Sequence, residues 1–310
     1  MESKIEIINL LHNKQILQNE LQTLSYGTVE IRENNSNKYI YVHYREDGVA
    51  LTKYVGEYSD ELYNLVLNNS IKAKELKKQI REITKKLKQL NYIEEELPGK
   101  VEQNIDFAKR HLVDTIYKQA ILEGVATTFA DTESIIEGGK VNNMTSEDIL
   151  KIVNLKRAWE FILNKNVILS GTNFALLCEI NKMVEDGFYY TAGKVRNVPV
   201  TIGGTTWKPE FPIESVIKEE LGEIFNQEMD DVDRAIELLL YIMKKQVFID
   251  GNKRTSVIYS NHYLISKGKG IIAIPSELTE EFKDLLIPYY EGKDEYKIKK
   301  FIKEKCYIKI

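Results

Sequence analysis

The chain's most chemically suggestive stretch is QVFIDGNKRTS, residues 246–256. Leu238–Val247 reads as the end of an apolar helix, and the run from Thr255 opens another. Gly251 and Asn252 lie at the turn between them, and both residue types tolerate positive φ. Free N–H groups at a helix start point outward, where the helix dipole favours an anion. Lys253 and Arg254 fall on that same first turn, a placement that opposes the dipole unless something negative is bound. Asp250, just before the turn, is suited to hold Mg²⁺ bridging phosphates. These letters alone leave two readings open, a phosphate site or an ordinary turn with surface cations.

Helices must position this turn. After residue 100 the spacing of apolar residues predicts helices over 101–127, 145–164, 172–186, 214–226, 230–246, 252–267, 279–290 and 294–305. Between 193 and 212 the rhythm changes to GKVRNVPVTIGGTTWKPEFP, whose two strand-like runs around Gly203-Gly204 read as a hairpin. The N-terminal part differs. A first helix is expected over 5–24, followed by the β-rich runs GTVEIREN, KYIYVHYRED and GVALTKYVG, with Asp47-Gly48 as a hairpin signal. Tyr39, Tyr41 and His43 should share one face of the central run and Ile40, Val42 and Tyr44 the other. From 60 to 96 the pattern is helical again. Leu76, Ile80, Ile83, Leu87 and Leu90 form a heptad seam, open to packing within the chain or to pairing two chains as a homodimer through residues 76–90. Around it stand Lys72, Lys74, Lys77, Lys78, Arg81, Lys85, Lys86 and Lys88, a solvated face or a nucleic-acid or acidic-partner surface. Glu94–Glu96 and Pro98-Gly99 mark the boundary between an N-terminal module, 1–99, and a second domain, 100–310.

The composition narrows the classes. A chain of 310 residues with 43% hydrophobic residues can bury a sizeable core. Its formal charge of −4 argues against a general polyanion binder, so nucleic acid would need a local basic patch. Cys178 and Cys306 stand far apart without CxxC or Cys/His clustering, which speaks against zinc and disulfide frameworks. No segment approaches the ~20 apolar residues of a membrane span, and the start has no signal-peptide pattern. The expectation is a soluble, cytoplasmic protein. Abundant Lys, Ile, Asn and Tyr with scarce Pro and Trp hint at an AT-rich bacterial or phage genome.

The 246–254 stretch resembles the signature of the Fic family (Fic/Doc, the Fido fold), His-x-Phe-x-Asp/Glu-Gly-Asn-Gly/Lys-Arg. Phe248, Asp250, Gly251, Asn252, Lys253 and Arg254 match it position by position. GKVRNVPVTIGGTTWKP resembles the family's β-hairpin flap, with its Gly-x-x-Arg element. SIIEGG resembles the inhibitory-helix motif Ser/Thr-x-x-x-Glu-Gly/Asn in its Glu137-Gly138, with Glu133 at the Ser/Thr position and Ser134 one place later; Glu137 would be the regulatory residue. The resemblance spans about 105–275. It implies a mostly α fold, a Fic-like helical bundle with a β-hairpin flap, preceded by the small hairpin and long-helix module.

The implied chemistry is transfer of AMP, or another nucleotidyl or phosphoryl group, from ATP or another nucleoside triphosphate to a Ser, Thr or Tyr hydroxyl of a target protein. Asp250 would hold Mg²⁺, and Gly251, Asn252, Lys253 and Arg254 would form the phosphate nest. Ile202, Gly203, Gly204 and Thr205 would belong to the flap that aligns the target as an added strand. Lys253 stands where many AMP-transferring members have glycine and occurs in the Doc-like phosphotransferase branch, so both transfers stay open.

Two departures matter. The family's base position is Gln246, and an uncharged amide accepts no proton at neutral pH. His262 lies roughly 20 Å further along a regular helix, too far to replace it. The family's second motif arginine falls at Val257, so Glu137 has no such partner. The readings are therefore a transferase slowed or altered by Gln246, a catalytically dead nucleotide-binding regulator, or a toxin-antitoxin or effector module gripping a partner.

Overall fold

The computed structural model describes residues 2–34, 37–46, 49–90, 92 and 97–310. The chain divides into two compact units, 1–93 and 94–310.

In the first unit, helix α1 (Glu2–Thr23) precedes strands β1 (Thr28–Asn34), β2 (Asn37–Glu46) and β3 (Val49–Glu57), then the long helix α2 (Asp60–Gln89). The strands form one antiparallel sheet in the order β1-β2-β3. Glu46 pairs with Val49, and Asp47-Gly48 between them lies outside the described residues. Alternation sorts the sheet as its sequence predicts. Ile40 and Val42 are buried against Val66 and Leu62 of α2. On the other face Tyr39 and Tyr41 both meet the Tyr54 ring. Ser59 caps α2, accepting the Leu62 N–H at 3.1 Å. Leu76 and Leu87 of the heptad seam are buried, as are Ile8 and Leu11 of α1, and α1 packs on α2 within the chain. Lys72 pairs with Glu20 at 2.6 Å.

The second unit is mostly helical: α3 (Gly99–Arg110), α4 (Leu112–Leu122), α5 (Phe129–Ile136), α6 (Ser146–Ile162), α7 (Lys165–Leu169), α8 (Phe174–Val184), α9 (Glu214–Asn226), α10 (Asp231–Lys245), α11 (Asn252–Ser266), α12 (Thr279–Tyr290) and α13 (Glu295–Phe301). The run expected as a single helix over 101–127 is broken at His111, α5 ends in the SIIEGG segment that resembles the inhibitory helix, and α7 is an addition to the expected helices. A two-residue strand pair, β4 (Ile271–Ile272) and β5 (Tyr307–Ile308), ties the C-terminus to the end of α11.

Helix α11 is the axis of this unit, packed by α10, α8 and α6. It is largely buried although it carries Ser, Asn, His and Tyr; Asn261 and His262 are satisfied locally, while the buried Tyr259 hydroxyl has no hydrogen-bond partner among the described residues. Asn261 exchanges bonds with both backbone groups of Ile272. His262 bonds Thr172 and the Val167 carbonyl, and burial pushes its pKa down to about 4. It is a neutral core residue.

The stretch 193–212 corrects one expectation. It contains a turn at Gly203-Gly204 but no strand ladder. Pro199 and Pro209 flank that turn and bring no N–H to a ladder. Arg196 takes the carbonyls of Val198 (2.8 Å) and Glu210 (2.6 Å), closing the base of a loop rather than a hairpin. Its tip rests on α12: Thr205 donates to Glu291 at 2.9 Å, and Trp207 stacks on Tyr290 with centroids 5.7 Å apart. Among the described residues, no helix is long and apolar enough to cross a membrane.

Candidate functional site

Helices α10 and α11 run into the turn 246–251 from opposite sides, and its backbone is held in two left-handed residues. Gln246 ends α10 at φ 49°, ψ 59°, with its N–H on the Ile242 carbonyl. Gly251 opens α11 at φ 73°, and a Cβ there would lie 2.3 Å from Oε1 of Glu185. Only glycine fits. Asn252 then braces the turn from within: its Oδ1 accepts the Phe248 N–H at 3.0 Å, and its Nδ2 donates to the Phe248 carbonyl at 2.8 Å and to Gln246 Oε1 at 3.1 Å. The Gln246 Nε2 donates to the Met243 carbonyl at 2.6 Å. Both ends of this carboxamide are engaged, and Gln246 stands half-buried at the base position as a structural brace.

Three residues outside the turn fix it. Arg196, 2% exposed, donates Nε to the Gln246 carbonyl at 2.6 Å, and its N–H reaches the Val247 carbonyl. Asn181 donates to the Asp250 carbonyl at 3.0 Å and accepts the Gly193 N–H at 2.9 Å. Gln119 donates to the Arg254 carbonyl at 2.8 Å and accepts from Trp159. Arg196→Met should free the loop from its base while leaving buried carbonyls without donors. We expect a stability loss of about 2–3 kcal/mol by denaturant titration, with hydrogen exchange accelerated around Ile202–Thr205.

The expected nest residues come together, but its arginine is already surrounded by carboxylates. Arg254, 3% exposed, has Nη2 at 2.8 Å from Glu185 Oε1 and 3.5 Å from Asp250 Oδ1, while its Nε lies 3.6 Å from Glu123 Oε2. Lys253 lies 3.6 Å from Glu123 Oε1. Asp250 is exposed and takes the Gly251 N–H at 2.6 Å. Glu123 and Glu185 each cap the C-terminus of a helix, α4 and α8. An anion is disfavoured there, so both gain by facing Arg254. Burial pushes the Glu185 carboxyl up to about 7, Arg254 opposing the shift and Asp250 and Glu123 adding to it.

That displacement makes stability depend on pH. Below pH 4.5 the carboxyl is protonated in both states. As pH rises from there, the unfolded chain ionises freely while the folded chain keeps its proton to about 7, so folding weakens across that window. Glu185→Gln should remove this dependence. At pH 8 the variant should be more stable by up to about 3 kcal/mol, and thermal melts from pH 4 to 8 should show the two proteins converging at the acid end.

Glu137, expected as the regulatory residue, is exposed at the end of α5 and has no ion-pair partner among the described residues. Sequence reading missed Glu123, Glu185, Asn181 and Gln119. None belongs to a spaced motif, and each is brought to the turn only by helix packing. Alongside α10, Trp207, Tyr241, Tyr289, Tyr290, Lys244 and Lys245 line a cavity of about 420 Å³ together with Glu210, Glu220, Glu237 and Glu291. Among the described residues no cluster of His, Cys, Asp or Glu could hold a metal ion by itself.

Residues 172–264 match the model of the Fic/DOC family, which covers the end of α7's connection through α11, including the turn. Similar solved structures are Fic proteins. A Fic domain-containing signaling protein from Bacteroides thetaiotaomicron aligns with TM-score 0.52 and 19% identity, over 61% of this chain and 75% of the other. Fic-1 from C. elegans aligns with TM-score 0.53 and 17% identity, over 78% and 79%. A Fic family protein from Desulfovibrio desulfuricans gives 0.51 and 12%, over 66% and 69%. No curated protein matches the chain.

Proposed function

We propose that this Fic-fold chain binds a nucleotide at the start of α11 and transfers its nucleotidyl or phosphoryl group, slowly, to a hydroxyl of a target protein. The observation that carries this is the braced turn. Gly251 leaves the backbone bare at a buried helix start, with Lys253 and Arg254 on the first turn, which suits a phosphate chain. Alongside α10, a cavity that also carries Glu210, Glu220, Glu237 and Glu291 has aromatic walls in Trp207 and Tyr290, a kind of surface on which a nucleobase can stack.

Asp250 is the residue that would hold Mg²⁺. A lone exposed carboxylate fits Mg²⁺ only together with phosphate oxygens and water, and when bound the ion neutralises phosphate charge. Arg254 would neutralise the rest, Asn252 would keep the turn rigid, and Gln246 would brace the turn without taking the hydroxyl proton. That proton would pass to water as the hydroxyl oxygen bonds to phosphorus and the P–O bond to the departing pyrophosphate or nucleoside diphosphate breaks. Positioning and charge stabilisation contribute to rate even without a base.

A second reading is a nucleotide sensor without turnover, and the observation favouring it is the Gln246 carboxamide, bonded at both ends. Incubation with labelled ATP, CTP, GTP and UTP, Mg²⁺ and cell lysate separates the two. Label on a protein band, absent with Asp250→Asn, is the expected outcome for a transferase. Calorimetric binding at roughly micromolar affinity with no label from any nucleotide supports the sensor and overturns transfer.

A further inference from the structure

The anion site at the start of α11 already contains an anion of its own. Glu185 is 2% exposed, and its carboxylate lies against the bare Gly251 backbone and 2.8 Å from Arg254 Nη2. Yet neither Glu185 oxygen accepts a hydrogen bond, and Nε and Nη1 of Arg254 donate none. A buried ion pair kept for stability needs its remaining lone pairs and protons satisfied. Among the described residues they are not, so Arg254 has donors left over for a further acceptor such as a phosphate oxygen.

The surrounding charges reinforce this. Facing Arg254 are Glu123 from the end of α4, Glu185 from the end of α8 and Asp250 from the turn, and the exposed Glu147 of α6 feels its charge from further off. The cations are Arg254 itself, Lys253, and Lys151, which bridges Glu147 at 2.7 Å. Above about pH 7, where the Glu185 carboxyl is ionised, four carboxylates against three cations leave the cluster one charge negative, an unwelcoming site for polyphosphate. Val257 is buried where a second arginine would stand, so Arg254 cannot be spared for Glu185 while another arginine serves the ligand.

We propose that Glu185 is the resident anion of this nest and sets its affinity: donor phosphate binds by displacing the Glu185 carboxylate from Arg254. The proposal rests on reading the nest as a phosphate site. It assigns the competing carboxylate to α8 rather than to the SIIEGG segment, where Glu137 makes no ion pair.

The test is calorimetry of the full chain with ADP and with inorganic pyrophosphate, each with Mg²⁺, on the starting protein, Glu185→Gln, Glu123→Gln and Glu137→Gln. The expected result is about tenfold or greater tightening for Glu185→Gln with both probes, a smaller gain for Glu123→Gln, and no change for Glu137→Gln. Thermal melts check that each variant is folded. If the starting protein binds and Glu185→Gln binds no tighter, the proposal falls while the phosphate reading stands. If neither binds either probe, both fall. Should Glu185→Gln not fold, an unchanged affinity in Glu123→Gln overturns the proposal, because that substitution also lowers the negative charge around Arg254.

Discussion

Arg254→Ala is expected to abolish nucleotide binding and to destabilise the second unit by about 3–5 kcal/mol. The two effects have one origin. Among the described residues Arg254 is the one cation buried in the cluster: Lys253 is half-buried and points to Glu123, and Lys151 pairs with Glu147. Removing the guanidinium leaves Glu185 buried among Asp250 and Glu123 with only the weaker influence of Lys151 opposing its charge. Its carboxyl would then stay protonated well above neutral pH, and part of the lost stability would return in acid. This gives a check that a simple cavity would not pass. Denaturant titration of Arg254→Ala should show a larger deficit at pH 8 than at pH 5, whereas loss of packing alone predicts the same deficit at both. Adding Glu185→Gln to Arg254→Ala should recover a substantial share of stability at pH 8 and no nucleotide binding, because the buried charge is gone while the phosphate partner is still missing.

What the sequence made legible follows from how each feature is encoded. The turn 246–254 is local: glycine, asparagine and a helix start are written in consecutive letters, so its place, its left-handed Gly251 and its two cations could be read directly. The helices around it follow from apolar periodicity, and α9 and α12 fall where that periodicity puts them. The loop 193–212 was misread as a hairpin because alternation in VPVTI and the Gly-Gly turn outweighed Pro199 and Pro209, and because nothing in the letters says that Arg196 will spend its guanidinium on the carbonyls of the loop's own base. The acidic ring is the least legible part. Glu123 and Glu185 look like ordinary surface carboxylates at helix ends, sixty-two positions apart in the chain; only the packing of α4 and α8 on α11 turns them toward one arginine.

Gln246→His is expected to raise transfer to protein by about 10²–10⁴, the usual contribution of a positioned base. The backbone is ready for it. Histidine is among the residues enriched in left-handed conformation, and the position is pinned by the Ile242 carbonyl on its N–H and by Arg196 on its carbonyl, so the new side chain inherits a fixed direction. The cost is small, since the carboxamide loses only its bonds to Met243 and Asn252, and Asn252 keeps both of its bonds to Phe248. The pH profile identifies the cause: label incorporation by the variant should climb through the ordinary imidazole range near 6.5, a limb that a protein without an ionisable base there does not have. A gain without that limb would mean that histidine only reshaped the turn. An inert variant that still binds nucleotide would locate the block at the phosphate end, where Glu185 holds Arg254, and Gln246→His combined with Glu185→Gln would then be the protein in which transfer appears.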